Sequence, residues 1–196
     1  MSGSVAIRYA RALYQEAQAQ DVDKQIYEYL GVLYSSMKAT PDLQITLTNP
    51  IVKDEQKFKL LATASGINEE VAKNGGKALA GQSAHLTLYS RFLRLVLQHK
   101  RESNIRLMIL VYRDMYRDAH NIDRIIFETA VPASPEVLDK LKERVKAKTG
   151  RGVECDVRVR PSLIGGFRLR IGDIRYDYSY ATKLEKIKKK LLCQNK

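Results

Sequence analysis

The sequence predicts two folds in series: an all-α, N-terminal six-helix bundle over residues 1–120, then a small β-α-β-β-β-α two-layer α+β domain over residues 121–196. Three observations predict this. Apolar residues recur at helical spacing through the first 120 residues, in segments separated by short breaks. Beyond Asn121 the spacing changes to the alternation of half-buried strands. The charge shifts at the same place: residues 1–120 hold 16 Lys+Arg against 12 Asp+Glu, and residues 121–196 hold 18 against 10. The formal net charge of +12 therefore divides into +4 and +8.

In chain order, Val5 to Ala19 repeats apolar residues at helical spacing, with Ser4 placed to cap its N-terminus. Asp23 to Met37 repeats the pattern through Ile26, Leu30 and Leu33. Pro41 opens a short turn of helix, and Asn49-Pro50 stops it. Asp54 to Ala64 is helical and ends at Gly66, and a short helical segment starts at Asn68. Gly75-Gly76 and Gly81 loosen the chain beyond it. Two strong helices come next, about Ala84 to His99 and about Ser103 to Asp118. In the second half, Ile125, Phe127, Thr129 and Val131 alternate as a strand. Ser134-Pro135-Glu136 is a helix start, with a capping hydroxyl, a proline at the first helical position and an acid at the positive end of the dipole. That helix presents Val137, Leu138, Leu141 and Val145, and stops at Gly150. Val153 to Val159 and Phe167 to Ile171 alternate as strands. Gly172-Asp173 is a hairpin turn leading to Ile174, Tyr176 and Tyr178. Ser179 begins a last helix with Leu184, Ile187 and Leu191 on one face. The sheet is expected to turn its apolar face to both helices and a charged face to solvent.

With 44% hydrophobic and 29% charged residues, the composition is that of a folded soluble chain. The longest apolar-dense stretch, Leu86 to Leu97, is interrupted by Arg91 and Arg94, so no membrane span is expected. Met1 to Tyr14 carries Arg8 and Arg11 without an acid, as transit peptides do. Its helical spacing reads instead as the first helix of the mature fold, and no signal peptide is expected. Cys155 and Cys193 match no metal or redox spacing, consistent with reduced cytosolic thiols.

No constellation of catalytic groups emerges. His85, His99 and His120 have no ligand partners at metal spacing, and no phosphate loop, Gly-x-Ser-x-Gly or His-Glu-x-x-His pattern occurs. Pro161 to Phe167 contains Gly165-Gly166, but these glycines open a strand rather than a helix. They read as a bend between strands, not as a phosphate cradle. No metal or cofactor is expected. Two helices are apolar on more faces than one core contact requires: Val5 to Ala19, and the helix holding Leu86 to Leu97. Side by side they could form a groove for a third, amphipathic helix, and Tyr9, Leu13, Phe92, Leu93 and Val96 are its candidate contacts. The lysine run Lys183, Lys186, Lys188, Lys189 and Lys190 reads as a solvated helix face that could also contribute to docking.

Arg8-Tyr9-Ala10-Arg11-Ala12-Leu13-Tyr14 with Glu16-Ala17 resembles the opening of F-type ATP synthase delta subunits, whose mitochondrial counterpart is the oligomycin-sensitivity-conferring protein. Asn49-Pro50-Ile51 with Lys57 resembles the family's Asn-Pro turn. Phe92-Leu93-Arg94-Leu95, with His99-Lys100-Arg101 and Tyr112, resembles its fifth and sixth helices. Ser162-Leu163-Ile164-Gly165-Gly166, then Gly172-Asp173, Asp177, Ser179 and Leu184, resembles its C-terminal signature. The chain departs from the pattern at Arg160, where an acid is usual, at Tyr178, where a small residue is usual, and between Asn68 and Gln82.

The resemblance implies a non-catalytic stator subunit of a proton-translocating synthase. Its six-helix domain would bind N-terminal segments of the head's alpha subunits between the first and fifth helices. Its C-terminal domain would meet the b subunits of the peripheral stalk. It also implies a peripheral location on the cytoplasmic face of a bacterial inner membrane, or the matrix side in a mitochondrion. The basic charge offers a rival, a nucleic-acid-binding protein. That reading wants base-stacking aromatics beside basic residues, whereas Glu154, Asp156 and Asp177 stand among the outward arginines and the aromatics point inward.

Overall fold

A computed structural model describes residues 2–67 and 83–194, so the helical segment expected from Asn68 and the glycines at 75, 76 and 81 lie outside the described residues. Among the described residues the chain forms eight α-helices, two 3-10 turns and a four-stranded mixed sheet. It divides into two compact units, residues 1–116 and 117–196.

In the first unit the elements are α1 (Ser2–Ala19), α2 (Asp23–Ala39), α3 (Asp42–Thr48), α4 (Asp54–Ala64), α5 (Ala84–Gln98), a 3-10 turn (Glu102–Asn104) and α6 (Ile105–Ala119). α3 stops where expected, at Asn49, whose side-chain oxygen accepts the Ile51 N–H at 2.9 Å in a turn of the Asx kind. The helix expected from Ser103 begins instead with the 3-10 turn, in which Glu102 and Asn104 are buried. The turn carries a buried ion pair. Lys57 of α4 reaches Glu102 at 2.8 Å with both side chains almost fully enclosed. Tyr89 of α5 shares a 2.6 Å hydrogen bond with Ser65, and burial pushes its phenol well above the ordinary range. The Tyr112 hydroxyl donates to the Asp23 carbonyl at 3.1 Å, tying α6 to the start of α2. Leu93, Val96, Ile105, Ile109 and Tyr112 are fully buried around these contacts.

The second unit contains β1 (Ile122–Thr129), α7 (Pro135–Thr149), β2 (Gly152–Val159), a 3-10 turn (Pro161–Leu163), β3 (Phe167–Ile171), β4 (Ile174–Asp177) and α8 (Tyr180–Gln194). The strands lie in the order β2-β1-β3-β4. β1 pairs parallel with β2, an arrangement that needs the α7 crossover, and antiparallel with β3. β1 starts and ends earlier than the alternation suggests. Its pairing begins at Ile122 opposite Gly152, and the Thr129 hydroxyl donates to the Val131 carbonyl at 2.6 Å, turning the chain out of the sheet. Gly150 ends α7 at φ 70, the left-handed cap that glycine adopts without a Cβ clash. Ile125, Phe127 and Leu169 form one core with Val145, and Leu138 and Leu141 of α7 pack against it.

The last helix departs from expectation. Leu184, Ile187 and Leu191 form the apolar face expected to meet the sheet, yet each is more than half exposed. The N-terminal end of α8 is what holds the helix. Asp177 accepts hydrogen bonds from the Ser179 N–H and hydroxyl, from the Thr182 hydroxyl and from Arg168, at 2.6 to 3.1 Å. The Ser179 bond leads the causes that hold this carboxyl well below the usual range.

Candidate partner-binding groove

Within the first unit, α1 and α5 lie against each other and leave a groove of about 470 Å³. Helical periodicity selects what faces it. From α1 come Arg8, Tyr9, Ala12, Leu13 and Glu16, and from α5 come Leu88, Arg91, Phe92 and Leu95. These are successive positions on one stripe of each helix, the i, i+3, i+4 and i+7 relation. Leu13, Leu88 and Phe92 form a nearly dry floor, each below a tenth exposed. Tyr9, Ala12 and Leu95 make the walls, with Leu95 43% exposed. The Tyr9 ring meets the His99 ring edge-on, centroids 6.3 Å apart, which fixes the tyrosine against the residue that caps α5. Arg8, Arg91 and Glu16 stand exposed at the rim. Such a site offers apolar seats, two cations and one carboxylate, which suits an amphipathic helix.

Of the residues singled out by sequence, the structure brings Tyr9, Leu13 and Phe92 together in this groove. It places Leu93 and Val96 elsewhere. Both are fully buried, on the face of α5 that also carries Tyr89. The sequence reading missed Ala12, Leu88 and Leu95. The stripe Leu88-Arg91-Phe92-Leu95 did carry a signal, because an arginine inside an apolar stripe marks a face that meets solvent.

Gly165-Gly166 shows why a phosphate cradle is the wrong reading. Gly166 has φ 72, and a Cβ on it would collide with the Tyr178 carbonyl oxygen; one on Gly165 would meet the Tyr180 ring at 2.5 Å. The glycines let the segment before β3 lie against the chain entering α8, where the Tyr180 N–H donates to the Gly165 carbonyl at 3.0 Å. Among the described residues no three His, Cys, Asp or Glu side chains gather as a metal site.

Residues 5–191 match the family described as ATP synthase delta (OSCP) subunit. The chain belongs to that family. An ATP synthase subunit delta from Parabacteroides distasonis is 39% identical over 97% of both chains. Another from Phocaeicola vulgatus is 34% identical over 99% of this chain and 97% of its own. In a cryo-EM structure of the Toxoplasma gondii mitochondrial ATP synthase hexamer, one chain shares the fold with TM-score 0.66 and 17% identity, covering 95% of this chain and 97% of that one. As a delta subunit the chain is a structural, non-catalytic component of the peripheral stalk of an ATP synthase, a membrane-associated complex. No helix among its described residues is long and apolar enough to cross a membrane.

Proposed function

We propose that this subunit is the stator joint of a proton-translocating F-type ATP synthase. It ties the alpha subunits of the catalytic head to the stalk b subunits and resists the torque of the rotor. The observation that carries the reading is the preformed groove between α1 and α5, with its dry floor and charged rim. An amphipathic N-terminal segment of an alpha subunit would lay its apolar side on Leu13, Leu88 and Phe92 and its polar side towards Arg8, Arg91 and Glu16. In this reading α1 to α6 act as one six-helix bundle. Residues 1–120 serve the head, and residues 121–196 serve the stalk. The location is the cytoplasmic face of a bacterial inner membrane, a reading supported by the bacterial source of the similar delta subunits. A joint under torque needs wide, tight contacts and no reactive group. It therefore uses buried helix faces rather than titrating residues.

Reconstitution tests this. Membranes carrying a synthase depleted of the subunit should hydrolyse ATP without pumping protons, and the full chain should restore pumping. A chain ended at Asn121 should bind the head but leave pumping uncoupled. Full coupling by the shortened chain would defeat the assignment of residues 121–196 to the stalk.

A further inference from the structure

We propose that the uncovered face of the sheet in residues 117–196 is the stalk-docking surface, and that its occupant is an acidic segment of the stalk polypeptide. This rests on the stalk-binding reading above and names where the contact is made. Strand alternation puts Arg158, Arg168, Arg170 and Arg175 on the face opposite α7, around a depression of about 400 Å³ that Arg160 also lines.

The carboxylates at the outward strand positions are already engaged, while Asp173 of the β3–β4 turn lines the same depression without an ion pair among the described residues. Glu128 holds Arg160 at 2.7 Å and Arg168 at 3.4 Å, Asp177 holds Arg168 at 2.9 Å, and Asp156 holds Arg158 at 2.9 Å and Arg124 at 3.2 Å. Two cations are left over, and they stand directly opposite each other in the β3–β4 register: Arg170 and Arg175. Arg170 donates its Nε–H to the Gly172 carbonyl at 3.0 Å, and Arg175 has no hydrogen bond or ion pair among the described residues. Like charges directly opposed weaken a strand pair, and an anion laid across both would relieve that repulsion. Guanidinium forks match carboxylates in planar, two-bonded geometry.

The rest of the surface selects the kind of anion. Ile126, half-buried, lies beside Arg170 in register and gives the depression an apolar floor for a side chain. The outward strand positions carry no aromatic ring to stack a base, and Glu128, Asp156 and Asp177 interrupt the positive charge that a run of phosphates would track. A polypeptide bearing carboxylates around an apolar residue fits both features.

The test uses the full chain and the purified soluble part of the b subunit from the same synthase, titrated at two salt concentrations. Arg170→Ser/Arg175→Ser should weaken binding by about tenfold or more and flatten its salt dependence. Arg170→Lys/Arg175→Lys, which keeps the charge and loses the fork, should fall between that variant and wild type. Lys140→Ser/Lys148→Ser, removing the same charge from α7, should bind within about twofold of wild type. Circular dichroism confirms that each variant is folded. A loss in Lys140→Ser/Lys148→Ser equal to that in Arg170→Ser/Arg175→Ser would reduce the effect to net charge and overturn the proposal. Undiminished binding by the arginine-to-serine variant would overturn it while leaving the stalk reading intact. No binding by wild type would remove the stalk reading and this proposal with it. Tighter binding of a 20-nucleotide DNA strand that depends on Arg170 and Arg175 would assign the face to nucleic acid instead.

Discussion

Replacing Ala12 by arginine should block the groove without disturbing the fold. Ala12 is exposed on one wall, so in the free protein the longer side chain meets water, and the change in helix propensity is worth only about 0.2 kcal/mol. The cost appears on docking. Leu13, Leu88 and Phe92 are already 92% or more buried, so the floor has little further surface to lose. Covering the exposed 43% of Leu95 yields about 1 kcal/mol. Most of the docking energy must therefore come from the partner's own apolar side chains, at about 1.5–3 kcal/mol for each one seated. An arginine at position 12 occupies one seat, which weakens binding roughly 10- to 150-fold. Val96→Ala supplies the contrast. Val96 is fully buried, so that variant should lose about 2 kcal/mol of folding stability and keep its affinity once folded. The assays are urea unfolding and fluorescence anisotropy with a labelled alpha-subunit N-terminal peptide. Wild-type affinity in a folded Ala12→Arg variant would refute the groove as the docking seat.

Three further outcomes are expected, each read by urea or pH titration of stability. Gly166→Ala forces a Cβ into the Tyr178 carbonyl at φ 72 and should cost at least about 2 kcal/mol, whereas Gly150→Ala, also at positive φ but with open space around it, should cost about 1 kcal/mol. Lys57→Met leaves Glu102 charged and enclosed and should cost about 3–5 kcal/mol, much of it recovered in Lys57→Met/Glu102→Leu. The depressed Asp177 carboxyl binds its proton less readily folded than unfolded. Its stabilisation is complete above the unfolded value of about 3.9 and declines as pH falls below it, and Asp177→Asn should remove that part of the acid dependence.

Element types were legible in the sequence because period and punctuation are local properties. Ser134-Pro135 and Gly150 bracket α7, and Gly172, at φ 55, makes the β3–β4 hairpin. Local pattern could not give the direction in which an apolar face points. α5 is apolar on most of its circumference, so spacing alone cannot separate Leu93 and Val96, which face the core, from Leu88 and Leu95, which face the groove. The same limit explains α8. Its Leu184-Ile187-Leu191 stripe has the amphipathic pattern of a core-facing helix, yet it remains exposed because the Asp177 network anchors only its first turn. The ends of β1 were displaced because a strand's limits belong to its neighbours, here Gly152 at the start and Val159 and Phe167 at the end.

The place of β1 at the centre of the sheet has a consequence for biosynthesis. Ile125 pairs with Cys155 on one side and Ile171 on the other, so the strand leaves the ribosome with both edges open. Its second neighbour is made roughly 45 residues later, about 2–9 s at ordinary translation speeds, whereas helical turns of residues 1–116 form from contacts close in the chain. During that interval an Ile-Ile-Phe strand keeps at least one open edge in the nascent chain. Slow codons or a stall between Phe127 and Phe167 should therefore raise aggregation and chaperone demand far more than the same delay placed before Asn121.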